Sequence, residues 1–421
     1  MPLRALAARF SLLAIFIAAP AVSAQDEHAG HDISQDSTSP GPKVFAGASG
    51  IALGTVAAPG INNRTLAEGY FTQPMVMAML VTPRGRFVAD LTLNFEGTTL
   101  DRGELNAGVH GEGYIDRRHP HTLIHELVGT GNFTFRSLRM SLTAGKGFVP
   151  FGTDDPMSRP LVKYPVNHHL AQLLERGLVS AAIAGGPFIF EGATFNGDEP
   201  ESPHDLPNSD RFGDSWSARL TAVPAKGVEL QGSVARVESP EHATGGGLDH
   251  RKVSVSARFE SNDRYALAEW ARTREGEGNA TAFTFNSALA EGAMTFGRFS
   301  FAGRAERTER PEEERALNAF RTPRPHSDLG IIGTTRWTIF SAAVSAALPA
   351  YRKIRVNPFV EVSTQEPVAT ATPAVFIPAE FYGKSRLWSF SFGARLGVGM
   401  RHMRMGRYGA AVTHKTHGDM K

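Results

Sequence analysis

The chain has 421 residues, of which 41% are hydrophobic, so disorder of the whole chain is excluded. Residues 1–24 hold Arg4 and Arg9 and no acid, so their removal takes the 44 basic residues to 42, equal to the 42 acidic ones. A neutral chain lacks the basic excess of a nucleic-acid-binding protein. With no cysteine and no run of about 18 uninterrupted apolar residues, the sequence excludes disulfides and predicts no transmembrane helix.

The first 24 residues have the composition of a cleaved secretory signal peptide. A basic start is followed by the short apolar run 12–19 and by Val22-Ser23-Ala24, the small-x-small pattern that signal peptidase cleaves. The other interpretation is a membrane anchor, which the shortness of the apolar run disfavours. We therefore expect export and cleavage near Ala24.

The next segment, residues 25–43, is polar and reads as a disordered arm. It contains His28 and His31, which could act as a weak metal-binding tag, although a solvated tail with incidental histidines is the simpler interpretation.

From residue 44 onward, apolar and polar residues alternate with a period of two, which predicts β-strands with one apolar and one polar face. Phe87, Leu91 and Phe95 alternate with Asp90 and Glu96, for example. The same alternation recurs in the ranges 138–145, 252–260, 298–306, 354–363 and 388–401.

Short and long connections alternate between these predicted strands. Tight turns are predicted at 82–85, 224–227, 261–263 and 349–352, where glycine, proline or polar residues interrupt the pattern. Longer polar stretches lie at 97–130, 197–214, 239–250, 274–279, 307–334 and 364–386. Short turns at one end and long loops at the other are typical of outer-membrane barrels.

We therefore predict an all-β fold: a closed antiparallel transmembrane β-barrel of about 14–16 strands with inward-folded loops, over residues 44–413. A soluble β-sandwich would also alternate. The density of phenylalanine and tryptophan on the apolar faces favours the barrel, and with it the bacterial outer membrane and its lipids. Met405–Val412 is expected to be the closing strand and 414–421 a polar tail, although the chain does not end on an aromatic residue.

One segment, residues 110–127, is rich in histidine and acids and does not alternate. A second histidine pair follows near residue 168. Imidazole and carboxylate groups are ligands for Zn or Cu(II), and a short helix at 121–127 would bring His121 and His125 together. Structural hydrogen bonding is the competing interpretation. The candidate metal ligands are His119, His121, His125, Glu126, His168 and His169.

Three short segments occur in order between residues 145 and 197. They are Gly145-Lys146-x-x-x-Pro150-Phe151-Gly152, Glu175-Arg176 and Phe195-Asn196-Gly197. Over residues 131–200 the chain thereby resembles the phosphate-selective porin family. In that family a strand ends at the first segment, a loop folds inward, and the second segment precedes the next strand. The resemblance implies an outer-membrane channel, commonly a homotrimer, narrowed by the inward loop.

The resemblance carries Lys146, Arg159, Lys163 and Arg176 onto the pore constriction. The acids Asp154, Asp155 and Glu175 are interleaved with them, whereas a phosphate channel requires a ladder of basic residues. We take the barrel from the resemblance and leave its substrate open.

The functional hypothesis is a passive porin-like channel for small solutes, tuned to divalent metal ions by the histidine-rich loop. The alternative is a plugged barrel that binds metal or ligand without conducting. Because no nucleophile elbow, P-loop or dinucleotide motif lies in a suitable context, an enzyme is not expected, and an outer-membrane hydrolase is the third alternative. No cofactor is required, apart from a possible divalent metal (Zn or Cu).

Overall fold

The computed structural model describes residues 41–58, 63, 65–99, 121–153, 158–166, 168–200, 202–313, 331–371, 374–400 and 404–413. Within these ranges the chain forms a closed barrel of sixteen antiparallel strands, in which each strand pairs with its neighbours in sequence and β16 pairs with β1. The strands are β1 (Lys43–Ala58), β2 (Leu66–Val81), β3 (Phe87–Asn94), β4 (Ile124–Phe135), β5 (Leu138–Gly147), β6 (Arg176–Gly185), β7 (Phe188–Phe195), β8 (Ser215–Ala225), β9 (Val228–Val237), β10 (Asp249–Glu260), β11 (Arg264–Gly276), β12 (Phe283–Phe296), β13 (Phe299–Glu313), β14 (Ile331–Ala346), β15 (Ile354–Ala369) and β16 (Leu387–Gly399). The predicted fold class is confirmed.

The two faces of the wall differ in chemistry as the alternation predicted. On β16, Trp388, Phe390 and Phe392 are exposed on the outside, whereas Ser389 and Ser391 between them are buried in the lumen. The barrel encloses its polar side chains and presents its aromatic ones, which is the reverse of a water-soluble protein. The alternative of two stacked open sheets is wrong, because the strands close into one cylinder.

Strand length varies around the barrel. On one side β3 and β7 have only eight residues each, whereas β1, β2, β14 and β15 have sixteen. The predicted loop at 307–334 is wrong in part, because β13 continues to Glu313 and β14 begins at Ile331. Two of its charged residues, Arg310 and Glu312, point into the lumen and pair there at 2.9 Å, which keeps them within the sheet.

Short turns and long connections lie at opposite ends of the barrel. The turns after β2, β4, β6, β8, β10 and β12 span two to five residues. At one of them, between β12 and β13, Gly297 has φ 58°, which glycine adopts without strain. The connections after β3, β5 and β7 are much longer, and the one after β5 folds into the lumen.

The expectation that Met405–Val412 closes the barrel is wrong. The closing strand is β16, which pairs with β1 from Gly47–Gly399 to Ala58–Trp388. Beyond it, Gly406 and Gly409 have positive φ values of 73° and 51°, so this part of the chain turns instead of extending. Residues 404–413, called the C-terminal segment below, fold back inside the barrel near the short-turn end, where Ala410 and Ala411 pack against Ala182, Ala184 and Ile189.

Helices contribute little to the described part of the chain. Three short α-helices occur there, at Glu96–Thr99, His168–Ala171 and Pro378–Tyr382, besides three single-turn 3-10 helices. None of the helices in these ranges has the length and apolar character needed to cross a membrane. The predicted signal peptide, residues 25–40 of the predicted arm and the predicted polar tail 414–421 lie outside the described residues.

Candidate functional site

The connection between β5 and β6, residues 148–175, crosses the lumen and is called the inward segment below. It leaves β5 at Gly147 and returns at Arg176, as the Gly-Lys and Glu-Arg segments predicted. Along its path it reaches strands on several sides of the barrel. Gly152 N donates to Ser233 Oγ on β9 at 2.9 Å, and Val162 N donates to Glu361 on β15 at 2.7 Å. The described residues of this segment therefore span the interior instead of lining one wall.

Carboxylates and guanidinium groups of the wall hold the inward segment by its backbone. Val166 N donates to Glu306 on β13 at 2.9 Å, and Arg304 donates to the carbonyl oxygen of Lys163 at 2.6 Å. Arg395 on β16 donates to the carbonyl oxygens of Arg159 and Leu161 at 3.0 and 2.9 Å. Charged side chains buried in the lumen are thus matched by backbone donors and acceptors, which offsets their desolvation.

The predicted constriction residues that lie in the described ranges are all buried. Arg159 faces Glu269 on β11 at 3.6 Å, and Arg176 donates to Glu199 at 2.7 Å. Lys146 lies 3.3 Å from Glu175. Lys163 is 4% exposed. Asp154 and Asp155 lie outside the described residues, and the role of the whole set in a constriction stays a prediction.

The predicted pair His121 and His125 does come together, but not on a helix. β4 begins at Ile124, so His125 and Glu126 lie on a strand and the expectation of a short helix is wrong. The register between β3 and β4 shifts at this point, from Thr92–Glu126 to Leu93–Ile124, which leaves His125 as the extra residue of a β-bulge. Because a bulge breaks the alternation, His125 and Glu126 are both buried inside, and the rings of His121 and His125 lie 5.0 Å apart.

Each histidine of this pair bonds to its own buried carboxylate. His121 Nδ1 lies 2.8 Å from Glu96 Oε2, and His125 Nδ1 lies 2.7 Å from Glu175 Oε1. Such a contact fixes the ring and leaves Nε2 as the outward atom, the arrangement that orients metal-binding histidines. Within the described residues, His125 Nε2 is buried and has no hydrogen-bond partner.

The electrostatics of these two carboxylates follow from their partners. Burial alone would raise the pKa of Glu175, but the charges and hydrogen bonds of His125 and the charge of Lys146 outweigh it and lower the pKa to about 2. Burial likewise opposes ionisation of Glu96, and His121 outweighs it, so the pKa of Glu96 is below its usual value. Both carboxylates are therefore ionised at neutral pH.

The remaining metal candidates do not extend this pair. Glu126 accepts a hydrogen bond from Tyr408 at 2.7 Å. His119 lies outside the described residues, and His168 and His169 belong to a short helix of the inward segment. Among the residues that the structure describes, no group of three or more histidines and acids is arranged to hold a metal. The metal site stays a prediction.

The C-terminal segment also lies in the lumen, which the sequence did not predict. Arg407 donates to Gln231 at 2.6 Å and to Thr221 at 3.0 Å. Arg404 forms a bidentate ion pair with Glu229, with distances of 2.7 and 2.9 Å. The Tyr408 hydroxyl accepts from Phe148 N of the inward segment at 2.9 Å. The C-terminal segment and the inward segment therefore contact each other.

Comparison with known proteins supports the fold. No protein-family model matches the sequence, and a search of curated proteins gave no match either. Among solved structures, the anion-selective porin from Comamonas acidovorans is 6% identical and superposes with a TM-score of 0.50, covering 85% of this chain and 99% of that chain. In-vitro folded OmpT, an outer membrane protein of Vibrio cholerae, is 10% identical with a TM-score of 0.47, covering 85% and 98%. From the first similarity we take the fold, a porin-type barrel.

Proposed function

We propose that this protein is a porin-type channel of the bacterial outer membrane that passes small hydrophilic solutes. The observation that carries the proposal is the division of the closed wall into an apolar outer and a charged inner face. An apolar belt of this extent is stable only in contact with lipid or a partner surface. A charged inner face would not be expected in a permanently dry barrel. Burying ions there reduces the stability of the fold, whereas apolar packing of the same volume would not.

The conformation described above is the closed state of this channel. Much of the contact between the barrel wall and these two segments is polar. Arg404 of the C-terminal segment pairs with Glu229, and Arg395 of the wall donates to the inward segment. Water can replace such polar contacts when either segment moves, whereas an apolar wall would resist wetting.

Conductance in planar lipid bilayers tests the channel. We expect rare discrete current steps from the wild-type protein, and slow swelling of vesicles in isotonic sugar solution.

The second candidate function is a barrel that binds ligand without conducting, and the burial of Arg159 and Lys163 favours it. Silence at high protein load, from wild type and from a variant with a loosened C-terminal segment, would establish that candidate instead.

We also propose that His121 and His125 bind a divalent ion, Zn or Cu(II). The proposal is supported by the 5.0 Å separation of the rings and by the carboxylate that orients each of them. The ion would take His125 Nε2 as a ligand. Because Glu96 and Glu175 are ionised, they offset the charge that the ion brings into the lumen.

Calorimetric titration of Zn and Cu(II) into the purified barrel checks this site. A variant carrying His119→Ala, His121→Ala and His125→Ala is expected to lose about 10- to 100-fold or more in affinity. His204→Ala, which removes an exposed histidine from the β7–β8 connection, is the matched control and should bind as the wild type does. Equal, weak heats from all three proteins would contradict the proposal.

The homotrimer that the family resemblance implies is part of the same proposal. Lipid-facing aromatic residues such as Phe340 and Phe301 leave ample apolar surface for neighbouring copies.

A further inference from the structure

Three methionines stand in a row on the lumen side of β2. Met75, Met77 and Met79 are 3%, 3% and 1% exposed, whereas the alternate residues Val76 and Leu80 face outward. Elsewhere the inner face of the wall is mostly hydroxyl and charged, as on β8, where Ser215, Ser217, Arg219 and Thr221 are buried. The methionine row therefore departs from the chemistry of most of the lumen.

Two further methionines from beyond β16 reach this row. Met405 of the C-terminal segment packs with Met75 and Phe148, and Met400 packs against the cluster that contains Met79. The chain thus brings thioethers from two distant parts of the sequence to one side of the barrel.

A small cavity lies between these groups. Its volume is about 40 Å³, which exceeds the space that one water molecule needs. Met77, Met400 and Met405 line it, together with the acids Asp90 and Glu126 and with Arg407 and Tyr408 of the C-terminal segment. A cavity of this volume accommodates a single ion.

The donor set of this cavity selects a particular ion. Thioether sulfur is a soft ligand and prefers soft monovalent cations such as Cu(I) over Zn²⁺ or Mg²⁺. The two carboxylates supply the negative charge that a bound cation needs, while the guanidinium of Arg407 at the same cavity donates to Gln231 and Thr221. Simple packing would be served by leucine or valine, which fill the inward positions of other clusters in the same barrel.

We propose that this cavity binds one soft monovalent cation, Cu(I) or its redox-inert analogue Ag(I), through the thioethers of Met77, Met400 and Met405. The site is separate from the proposed divalent site, because it uses sulfur donors and none of the histidines. Since Met405 belongs to the C-terminal segment, the bound ion would tie that segment to β2.

Silver binding by the full-length protein in detergent tests the proposal. We expect one Ag(I) per chain by calorimetry, with sulfur neighbours in the X-ray absorption spectrum. The double variant Met77→Leu, Met405→Leu keeps the side-chain volume, so the barrel should fold, and it should lose about 100-fold in affinity. Heat-modifiable migration in gels verifies folding.

Two controls make the result specific. Met294→Leu changes a lipid-facing methionine that is 43% exposed and should bind Ag(I) as the wild type does. The triple histidine variant should also keep its Ag(I) affinity, which separates this site from the proposed divalent one. The proposal is overturned if wild type binds no Ag(I), if the folded Met77→Leu, Met405→Leu variant binds it equally well, or if the spectrum shows only nitrogen and oxygen neighbours.

Discussion

Loosening the C-terminal segment is expected to raise the open probability of the channel about 100-fold. The double variant Arg404→Ala, Arg407→Ala removes the pairs to Glu229 and the hydrogen bonds to Gln231 and Thr221. In the closed state of the variant, the carboxylate of Glu229 lacks its ion-pair partner Arg404. In the open state, water solvates the same carboxylate. A shift of about 3 kcal/mol toward opening follows from the cost of breaking buried pairs, which corresponds to roughly 100-fold.

Single-channel recording at matched protein density measures this shift. Arg386→Ala is the matched control, because it breaks an arginine–glutamate pair whose side chains are 71% and 45% exposed and which lies outside the lumen contacts. Its current should equal that of the wild type. If the double variant is folded and opens no more often than the control, the C-terminal segment does not close the channel.

Glu175→Gln is expected to reduce the free energy of unfolding by about 3–5 kcal/mol. The carboxylate of Glu175 lies 3.3 Å from Lys146 Nζ and accepts from Thr122 N at 3.1 Å and from His125. A neutral amide of the same shape leaves Lys146 buried without a counter-charge at this position. The pKa of about 2 shows how strongly the site prefers the ionised form.

Urea titration followed by heat-modifiable migration gives the folded fraction for this comparison. Glu366→Gln, at the exposed partner of Arg386, is the control and should stay within about 0.5 kcal/mol of wild type. A Glu175→Gln protein as stable as this control would mean that water, not the carboxylate, compensates Lys146.

The wall of the barrel could be predicted from the sequence because its chemistry is local. Residues such as Trp388 and Ser389 alternate at the period of a strand, and each hairpin shows its own turn residues. The boundaries were less predictable where the lumen is charged. By composition Arg310 and Glu312 resemble loop residues. They nevertheless continue β13, because they pair with each other inside the barrel.

The candidate site was predicted only in part, for a physical reason. The residues 121–125 were singled out by their composition, but the bulge that turns His125 and Glu126 inward depends on the register with β3, which no local pattern encodes. The destination of the C-terminal segment was missed because its partners, such as Gln231 and Glu126, lie more than 150 residues away. Its apolar residues suit either lipid or a packed interior.

The position of the C-terminal segment constrains biogenesis. The seam between β1 and β16 joins residues some 350 positions apart, so its loop-closure entropy makes it the slowest contact to form. The strands that hold Arg404, Arg407 and Tyr408 are β4, β8 and β9, which can assemble as a curved open sheet beforehand. We expect the C-terminal segment to dock on that sheet before β1 and β16 pair, so that the cylinder closes around this segment.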